Sequence, residues 1–368
     1  MWLDAPLSTI ARTAMVPVNV IGYERAMRIA DVMGRGLAAI DRKHYKRAYN
    51  NLRDAFPAWS EEQLHECVVG CHRHLMKLSV EFAYTPRLLT RDAVHRHMMF
   101  TDMSKALHSL LRDRPTILIT GHIGNWEMVG YAVSMLGLEM CAVYRPLDLR
   151  GVDDWVKRSR EEKGLRLISK FGAARGVPAA MEAGFPVGLV ADQSGGDRGV
   201  FTPFFGRLTS TYKMIGLLAM RFNATVVCGV ARRLEHGERV PSGPLDRSQF
   251  VHGKMATDGH RESGIRYAVE VTDAYGPEDW NAQPDPLYYI TARYRRAMEA
   301  MIRRAPDQYF WMHRIWRSRP AHERMNKPFP AALREKMLAL PWMTSADVDA
   351  VVEQSERDVK QLERLQRA

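Results

Sequence analysis

Short apolar segments alternate with helical segments through the middle of this chain, and this alternation limits the folds that it can adopt. The runs at 116–120, 140–144, 187–191 and 225–231 are apolar and too short for helices, so we predict buried strands there. Segments with helical spacing separate them. Such alternation is typical of the α/β class. We therefore predict a mixed, mostly parallel central sheet flanked by helices, with an N-terminal helical segment and a C-terminal helical tail.

The 368 residues allow one large domain or two ordinary ones, and we expect a single structural domain with three regions. Residues 1–112 are predicted to form an N-terminal helical, membrane-associating region packed on the core. Residues 113–320 are predicted to form the α/β core, and 321–368 a C-terminal tail with a peripheral helix. Residues 234–264 are polar and rich in turn-forming residues, so we expect an exposed insertion there.

The chain carries an excess of basic residues. Its 53 Lys and Arg against 42 Asp and Glu give a net charge of +11, which favours nucleic acid, an anionic membrane surface or a phosphorylated substrate as partner. Residues 293–319 hold eight basic residues and two acidic ones, interspersed with Tyr309, Trp311 and Trp316. Nucleic-acid-binding proteins and proteins at lipid headgroups both show this pairing. A solvated helix face followed by a core strand explains it equally well.

No segment of the sequence has the ~20 consecutive apolar residues that a membrane-spanning helix needs. Residues 1–40 nevertheless place arginines among large apolar residues. This pattern is typical of a segment that lies on anionic lipid without crossing it. Packing against the rest of the protein is the alternative interpretation.

The segment 121–127, Gly-His-Ile-Gly-Asn-Trp-Glu, is the most informative motif. On one continuous helix, His122 and Glu127 would point in different directions, because five residues exceed one turn. With His122 in a loop after a strand, Gly124 permitting a tight turn and Asn125 capping the next helix, the two can meet. We therefore predict that Glu127 orients the His122 imidazole, which then acts as a general base.

Other enzyme classes fit this sequence less well. A metal-dependent hydrolase would need further ligands at helical spacing beside His122 and Glu127, and the sequence offers none, so we predict no metal. Cys67, Cys71 and His74 share one helix face, but their spacing favours core packing over zinc binding. A serine hydrolase would need a Gly-x-Ser-x-Gly turn, which is absent from the sequence.

Four segments resemble, in the same order, sequence blocks of the bacterial lipid A biosynthesis acyltransferases of the late lauroyl/myristoyl type, a branch of the lysophospholipid acyltransferase superfamily. Segment 121–127 is similar to their His-x4-Glu block, and 143–147, 191–206 and 306–314 are similar to later blocks. Ser194 departs from the family pattern, which usually has aspartate there. The insertion is also longer than usual, and the N-terminal spanning helix common in the family is missing or degraded.

The resemblance implies transfer of a fatty acyl group from a thioester to a hydroxyl of a membrane lipid, with His122 as base and Glu127 as its orienter. The donor would be acyl carrier protein or coenzyme A, and no other cofactor is expected. The tetrahedral intermediate would need N–H donors, for which Gly124 and Asn125 at the helix N-terminus are candidates.

Three further side chains are candidates for substrate binding. Arg145 is assigned to a phosphate, glycerol or sugar oxygen, with a structural salt bridge as the alternative. Asp192 is expected to bond either His122 or the acceptor hydroxyl, unless it caps a loop. Arg314 is expected to face anionic headgroups, whereas His313, within an aromatic run, is predicted to be structural.

The expected partners are an anionic membrane surface, a lipid acceptor and the acyl thioester, but not nucleic acid. The expected location is the cytoplasmic face of the inner membrane, peripheral or interfacial. The acceptor stays open among a lipid A precursor, a lysophospholipid, an ornithine-type lipid and a phosphoinositol mannoside. A basic nucleic-acid-binding protein without catalysis is the distant alternative.

Overall fold

The computed structural model describes residues 21–88, 97–101, 103–110, 114–147, 150–162, 164–235, 238 and 264–367. The strands within these ranges are β1 (Met98–Thr101), β2 (Thr116–Thr120), β3 (Met140–Tyr144), β4 (Leu165–Ser169), β5 (Val187–Val190), β6 (Val200–Phe204), β7 (Arg207–Thr211), β8 (Thr225–Arg233) and β9 (Tyr267–Tyr275). The helices are α1 (Tyr23–Ile40), α2 (Arg42–Ala55), α3 (Glu61–Leu88), α4 (Ser104–Leu110), α5 (Trp126–Met135), α6 (Arg150–Glu161), α7 (Ala173–Glu182), α8 (Lys213–Phe222), α9 (Pro277–Trp280), α10 (Pro286–Arg304), α11 (Ala321–Arg324), α12 (Ala331–Leu338) and α13 (Ser345–Arg367). The predicted insertion at 234–264 lies almost wholly outside the described residues.

A seven-stranded sheet forms the centre of the molecule, in the order β1-β9-β8-β2-β5-β3-β4. Its pairs are parallel except for the antiparallel pair β8–β9. Strand β2 lies between β8 and β5 and is buried along its whole length, which explains the apolar run at its centre. Strands β6 and β7 form a separate antiparallel hairpin. The predicted α/β class, with a mixed and mostly parallel sheet between helices, is confirmed.

Helix α1 packs on the protein through its small residues. The buried positions recur every four residues, at Ala26, Ala30, Gly34 and Ala38. A side chain at Gly34 would lie only 2.4 Å from Cα of Arg73 in α3, so glycine permits the two helices to approach closely. The large apolar residues of α1 are therefore left on its outer face. None of the helices in the described ranges combines the length and apolar character needed to cross a bilayer.

The C-terminal helix α13 is an integral part of the structure. Val348 and Val351 are buried in the main apolar core. The carboxylate of Asp358 accepts hydrogen bonds from Arg207 Nε at 2.7 Å and from Arg319 Nη2 at 2.5 Å. The prediction of a peripheral helix is therefore wrong. The charge of Asp358 in α13 is buried, and it pairs with Arg207 of the hairpin β6–β7 and with Arg319 in the segment before α11.

The basic and aromatic segment 293–319 contributes mostly to the interior. Arg293 pairs with Asp273 and Asp279, and Arg304 with Glu270. Arg295 is fully buried. The aromatic side chains of this segment that sequence analysis singled out are also buried: Tyr309, Trp311 and Trp316. Most of this cluster is thus core and internal ion pairs, so the aromatic part is buried as the structural interpretation predicted, whereas the predicted solvated helix face is replaced by internal pairs.

Candidate active site

His122 lies in the loop between β2 and α5, and a later segment of the chain holds that loop in place. The N–H of Phe310 donates to the carbonyl of His122 at 2.9 Å, and Ile123 forms an antiparallel bridge with Tyr309. Gly124 has φ of +56°, and a Cβ there would lie 2.1 Å from the carbonyl oxygen of Ala231. Only glycine satisfies both the left-handed backbone and the close approach.

The register of the sheet brings Asp192 to His122. Thr120 of β2 pairs with Val190 of β5, and the two functional residues each follow their strand by two positions. The distance between His122 Nδ1 and Asp192 Oδ1 is 2.8 Å. The Asp192 side chain is only 1% exposed. Of the alternatives for Asp192, the structure therefore shows the contact with His122.

Electrostatics support a carboxylate–imidazole pair. Burial disfavours the charge on both groups, but the mutual interaction outweighs it. The pKa of Asp192 is lowered to about 2, mainly through His122, so this carboxylate stays ionised. Burial acts to lower the pKa of His122, but the charge and hydrogen bond of Asp192, with a smaller contribution from Glu127, raise it above its usual value.

Glu127 forms a different contact from the one predicted. Its carboxylate accepts two hydrogen bonds from Arg160 of α6, from Nε at 2.8 Å and from Nη2 at 2.5 Å. Among the described residues, no hydrogen bond joins Glu127 to His122. The predicted contact between Glu127 and His122 is therefore wrong. Asp192 bonds Nδ1 of the imidazole instead. Glu127, in the first turn of α5, pairs with the Arg160 guanidinium, and both residues line the cavity.

The N–H groups of Gly124 and Asn125 do not fit the role predicted for them. The Gly124 N–H donates to the carbonyl of Gln308 at 3.0 Å, and the Asn125 N–H donates to that of Ala231 at 2.9 Å. Both donors are thus engaged within the protein. Asn125 does occupy the N-cap position of α5, but its buried side chain donates to Tyr267 Oη at 3.2 Å instead of capping the helix.

A cavity of about 670 Å³ opens beside His122, within the usual range for small-molecule sites. Polar and charged side chains contribute to the wall near the ends of the strands. They include His122, Glu127, Arg145 and Arg160. Most of the remaining wall is aliphatic, with side chains such as Leu118, Met140, Leu165, Leu167, Val177, Leu189, Ile215 and Leu218. A polar reacting group beside an apolar chamber suits a substrate with a hydrocarbon chain.

A profile of the bacterial lipid A biosynthesis acyltransferases matches residues 7–242, more than half of the chain. The chain belongs to this family. It is 23% identical over 299 residues to the lipid A biosynthesis palmitoleoyltransferase of Escherichia coli (strain K12), covering 79% of this chain and 86% of that protein. The lipid A biosynthesis acyltransferase of Shigella flexneri shows the same identity and coverage. Family membership makes the chain an acyltransferase.

In this acyltransferase, the remaining candidates are divided between the cavity and the surface. Arg145 is exposed and lines the cavity, and none of the described residues forms a salt bridge with it. Arg314 is exposed but is not part of the cavity wall, so the structure does not bring it to the site. Phe204 and Phe205 are packed in the core.

The sequence analysis did not identify Arg160 as a residue of the site, and it did not predict that His313 lies beside His122. The rings of His122 and His313 lie 4.7 Å apart, edge to face, and burial lowers the pKa of His313 to about 4. His122, Asp192 and His313 each place a possible ligand atom within 4.8 Å of the others, so they could hold a small cation if it replaced the His122–Asp192 hydrogen bond. The resemblance of 306–314 to a family block was the one signal for this proximity.

Proposed function

We propose that this protein is a membrane-associated O-acyltransferase that transfers a fatty acyl group from an acyl thioester to a hydroxyl of a lipid acceptor. The observation that carries the proposal is the contact of partly exposed His122 with buried Asp192 at an aliphatic cavity. A carboxylate on one ring nitrogen fixes the tautomer and leaves the other nitrogen as proton acceptor. Asp192 accepts the Nδ1 proton, so Nε2 of His122 is the base.

The residues account for one complete acyl transfer. As the acceptor oxygen attacks the thioester carbonyl, His122 Nε2 takes the hydroxyl proton, and the imidazolium is stabilised by Asp192. When the carbon–sulfur bond breaks, the same proton passes to the departing sulfur. The products are the ester and the free thiol of the carrier. Acyl carrier protein and coenzyme A both supply such a thioester.

The carbonyl oxygen gains negative charge during the attack and needs donors. The first N–H groups of a helix have no partner within it. Since Gly124 and Asn125 are engaged elsewhere, we assign this role to the first turn of α5, at Trp126 and Glu127, both of which line the cavity. The positive end of the helix dipole favours the developing anion there.

Two arginines at the cavity are assigned to recognition of the substrate. Arg160 is fixed by Glu127 and thus presents a preorganised guanidinium, while Arg145 is exposed at the same cavity. Phosphate and sugar oxygens are natural partners for such groups. Glu127 acts in this proposal by positioning Arg160 and by adding negative charge near His122.

The outer face of α1 supports attachment to an anionic bilayer surface. Val32 is 69% exposed, Met33 57% and Ile40 78%, and Arg25 and Arg28 are also exposed. A helix with large apolar and basic side chains on the same outer region suits the membrane interface. We assign the protein to the cytoplasmic face of the inner membrane, where acyl thioesters are available.

The acceptor that the family favours is a lipid A precursor, with lysophospholipid, ornithine-type lipid and phosphoinositol mannoside as the other classes. The test incubates purified protein with acyl carrier protein and coenzyme A thioesters and each acceptor class in turn. We expect the wild type to form one acylated lipid and His122→Ala to lose this activity, while His108→Ala, at an exposed histidine, retains it. The proposal would be refuted if the wild type acylated none of the acceptors, or if His122→Ala were fully active.

A further inference from the structure

The outer face of helix α8 differs from that of an ordinary surface helix. Its exposed residues are Lys213, Met214, Leu217, Met220 and Arg221, so every one is either large and apolar or basic. A solvent-facing helix surface is usually polar and carries both signs of charge. The segment 212–223 contains no Asp or Glu; the carboxylate that pairs with Arg221, at 3.3 Å, is that of exposed Glu182 in α7.

The connection from β4 to α7 has the same character. Phe171 is 80% exposed, and the Lys170 ammonium lies 4.9 Å from the centre of its ring. Arg175 is exposed on the next turn. No acidic residue occurs between 168 and 181. An isolated exposed apolar side chain is ordinary, but a phenylalanine this exposed beside cations is characteristic of an interaction surface.

Both segments belong to the edge of the cavity that contains His122. Lys170, Ala173 and Ala174 line it from one segment, and Tyr212 and Met214 line it from the other. We define the cavity rim by eight of the exposed residues of the two segments: Lys170, Phe171, Arg175, Lys213, Met214, Leu217, Met220 and Arg221. The rim thus adjoins the place where a substrate would enter.

We propose that the cavity rim docks onto an anionic lipid bilayer, with Phe171, Leu217 and Met220 among the acyl chains and the cations at the headgroups. The proposal rests on the proposed function, because it specifies how a membrane lipid reaches His122. Apolar side chains gain free energy on entering the interface, and lysine and arginine favour anionic headgroups. Acidic acyl carrier protein would match the cations, but the large exposed apolar side chains favour a bilayer.

A fluorescent label can detect this contact locally. The native cysteines, Cys67, Cys71, Cys141 and Cys228, are all buried, so an introduced surface cysteine will react selectively. Phe171→Cys and Leu217→Cys are labelled with an environment-sensitive dye and mixed with phosphatidylglycerol or phosphatidylcholine vesicles. The control is Met325→Cys, at a residue that is 55% exposed in the C-terminal region.

We expect the emission of both rim labels to shift to the blue and at least double in intensity with phosphatidylglycerol vesicles, with little change at position 325. Unchanged rim labels would overturn the proposal, even if the protein as a whole binds vesicles through α1. A response to acyl carrier protein but not to vesicles would also overturn it, in favour of a protein partner.

Activity provides a second, independent measurement. The combined variant Phe171→Ser, Leu217→Ser, Met220→Ser is compared with Met325→Ser, Leu338→Ser, which also removes exposed apolar side chains. We expect the rim variant to lose at least tenfold in acyl transfer to vesicle-embedded acceptor and less than twofold with detergent-dispersed acceptor. The proposal would be overturned if the rim variant kept wild-type activity in both assays, or if it lost activity by the same factor in both. A wild type without acyl transfer would refute the proposed function alone, because the label responds without turnover.

Discussion

Oδ1 of Asp192 lies 2.8 Å from Nδ1 of His122, although 70 residues separate the two in sequence. Replacing the carboxylate by an amide keeps the volume but removes the negative charge and the obligate acceptor. We expect Asp192→Asn to lower kcat by about 10² to 10⁴, the range of general-base contributions. Steady-state transfer from acyl thioester measures this effect. Asp197→Asn, at an exposed aspartate, is the control, and near-wild-type activity of Asp192→Asn would contradict the role of Asp192.

The same contact predicts a change in pH dependence. Only neutral His122 can accept a proton, so activity should rise with pH as the imidazole loses its own proton. Because Asp192 raises the pKa of His122, the acid limb of kcat/KM should lie above pH ~6.5, the ordinary histidine value. The residual activity of Asp192→Asn should show this limb at lower pH. An unshifted profile would mean that another group titrates.

The contact of Glu127 with Arg160 predicts a coupling between these residues. We expect Glu127→Gln and Arg160→Gln each to reduce kcat/KM, and the double variant to be no worse than the poorer single variant. If Glu127 instead acted directly on His122, the effects of the two substitutions would multiply. The double-mutant cycle in kcat/KM should give a coupling free energy of about 0.5 to 3 kcal/mol.

Gly124 should be far less tolerant of alanine than another glycine with a similar backbone. Gly124 and Gly184 both have positive φ, but a Cβ at Gly184 meets nothing within 4 Å. We expect Gly184→Ala to cost about 1 kcal/mol of unfolding free energy, the lower end for a non-glycine residue in this region. Gly124→Ala should cost at least about 3 kcal/mol, since its Cβ would overlap the Ala231 carbonyl. Similar urea midpoints for the two variants would contradict this explanation.

The sequence supports prediction of the strands that are buried on both sides and the helices between them. Strands β2 and β3 match the predicted runs, because central parallel strands must be continuously apolar. Strands β1, β4 and β6 were not predicted, since their partly exposed residues mix polar and apolar types. Strand β7 was not predicted because its mostly buried residues are largely polar.

The candidate site could be predicted without alternatives only where a local motif marks it, whereas for Asp192 the bond to His122 was one of three alternatives. The strand–loop–helix pattern located His122 and Glu127 correctly at one edge of the sheet. Which carboxylate bonds the imidazole depends instead on the register between β2 and β5, and single-sequence patterns do not encode that register. The contact between Glu127 and Arg160 likewise depends on how α6 packs beside α5.

Buried ion pairs hold helix α13 to the rest of the protein, although its charged sequence predicted a peripheral helix. Asp358 is 3% exposed and pairs with Arg319, which is 6% exposed. Glu323 also pairs with Arg319, and Asp54 with Arg207, so Asp358→Ala leaves both arginines a partner but removes their buried hydrogen bonds to Asp358. We expect this variant to lower the unfolding free energy by about 2 kcal/mol, the range for hydrogen bonds to charged groups. Asp349→Ala should cost less than about 1 kcal/mol, because Asp349 and Arg334 form an exposed pair. Urea denaturation measures both variants, and equal small losses would contradict the contribution of the Asp358 ion pairs to stability.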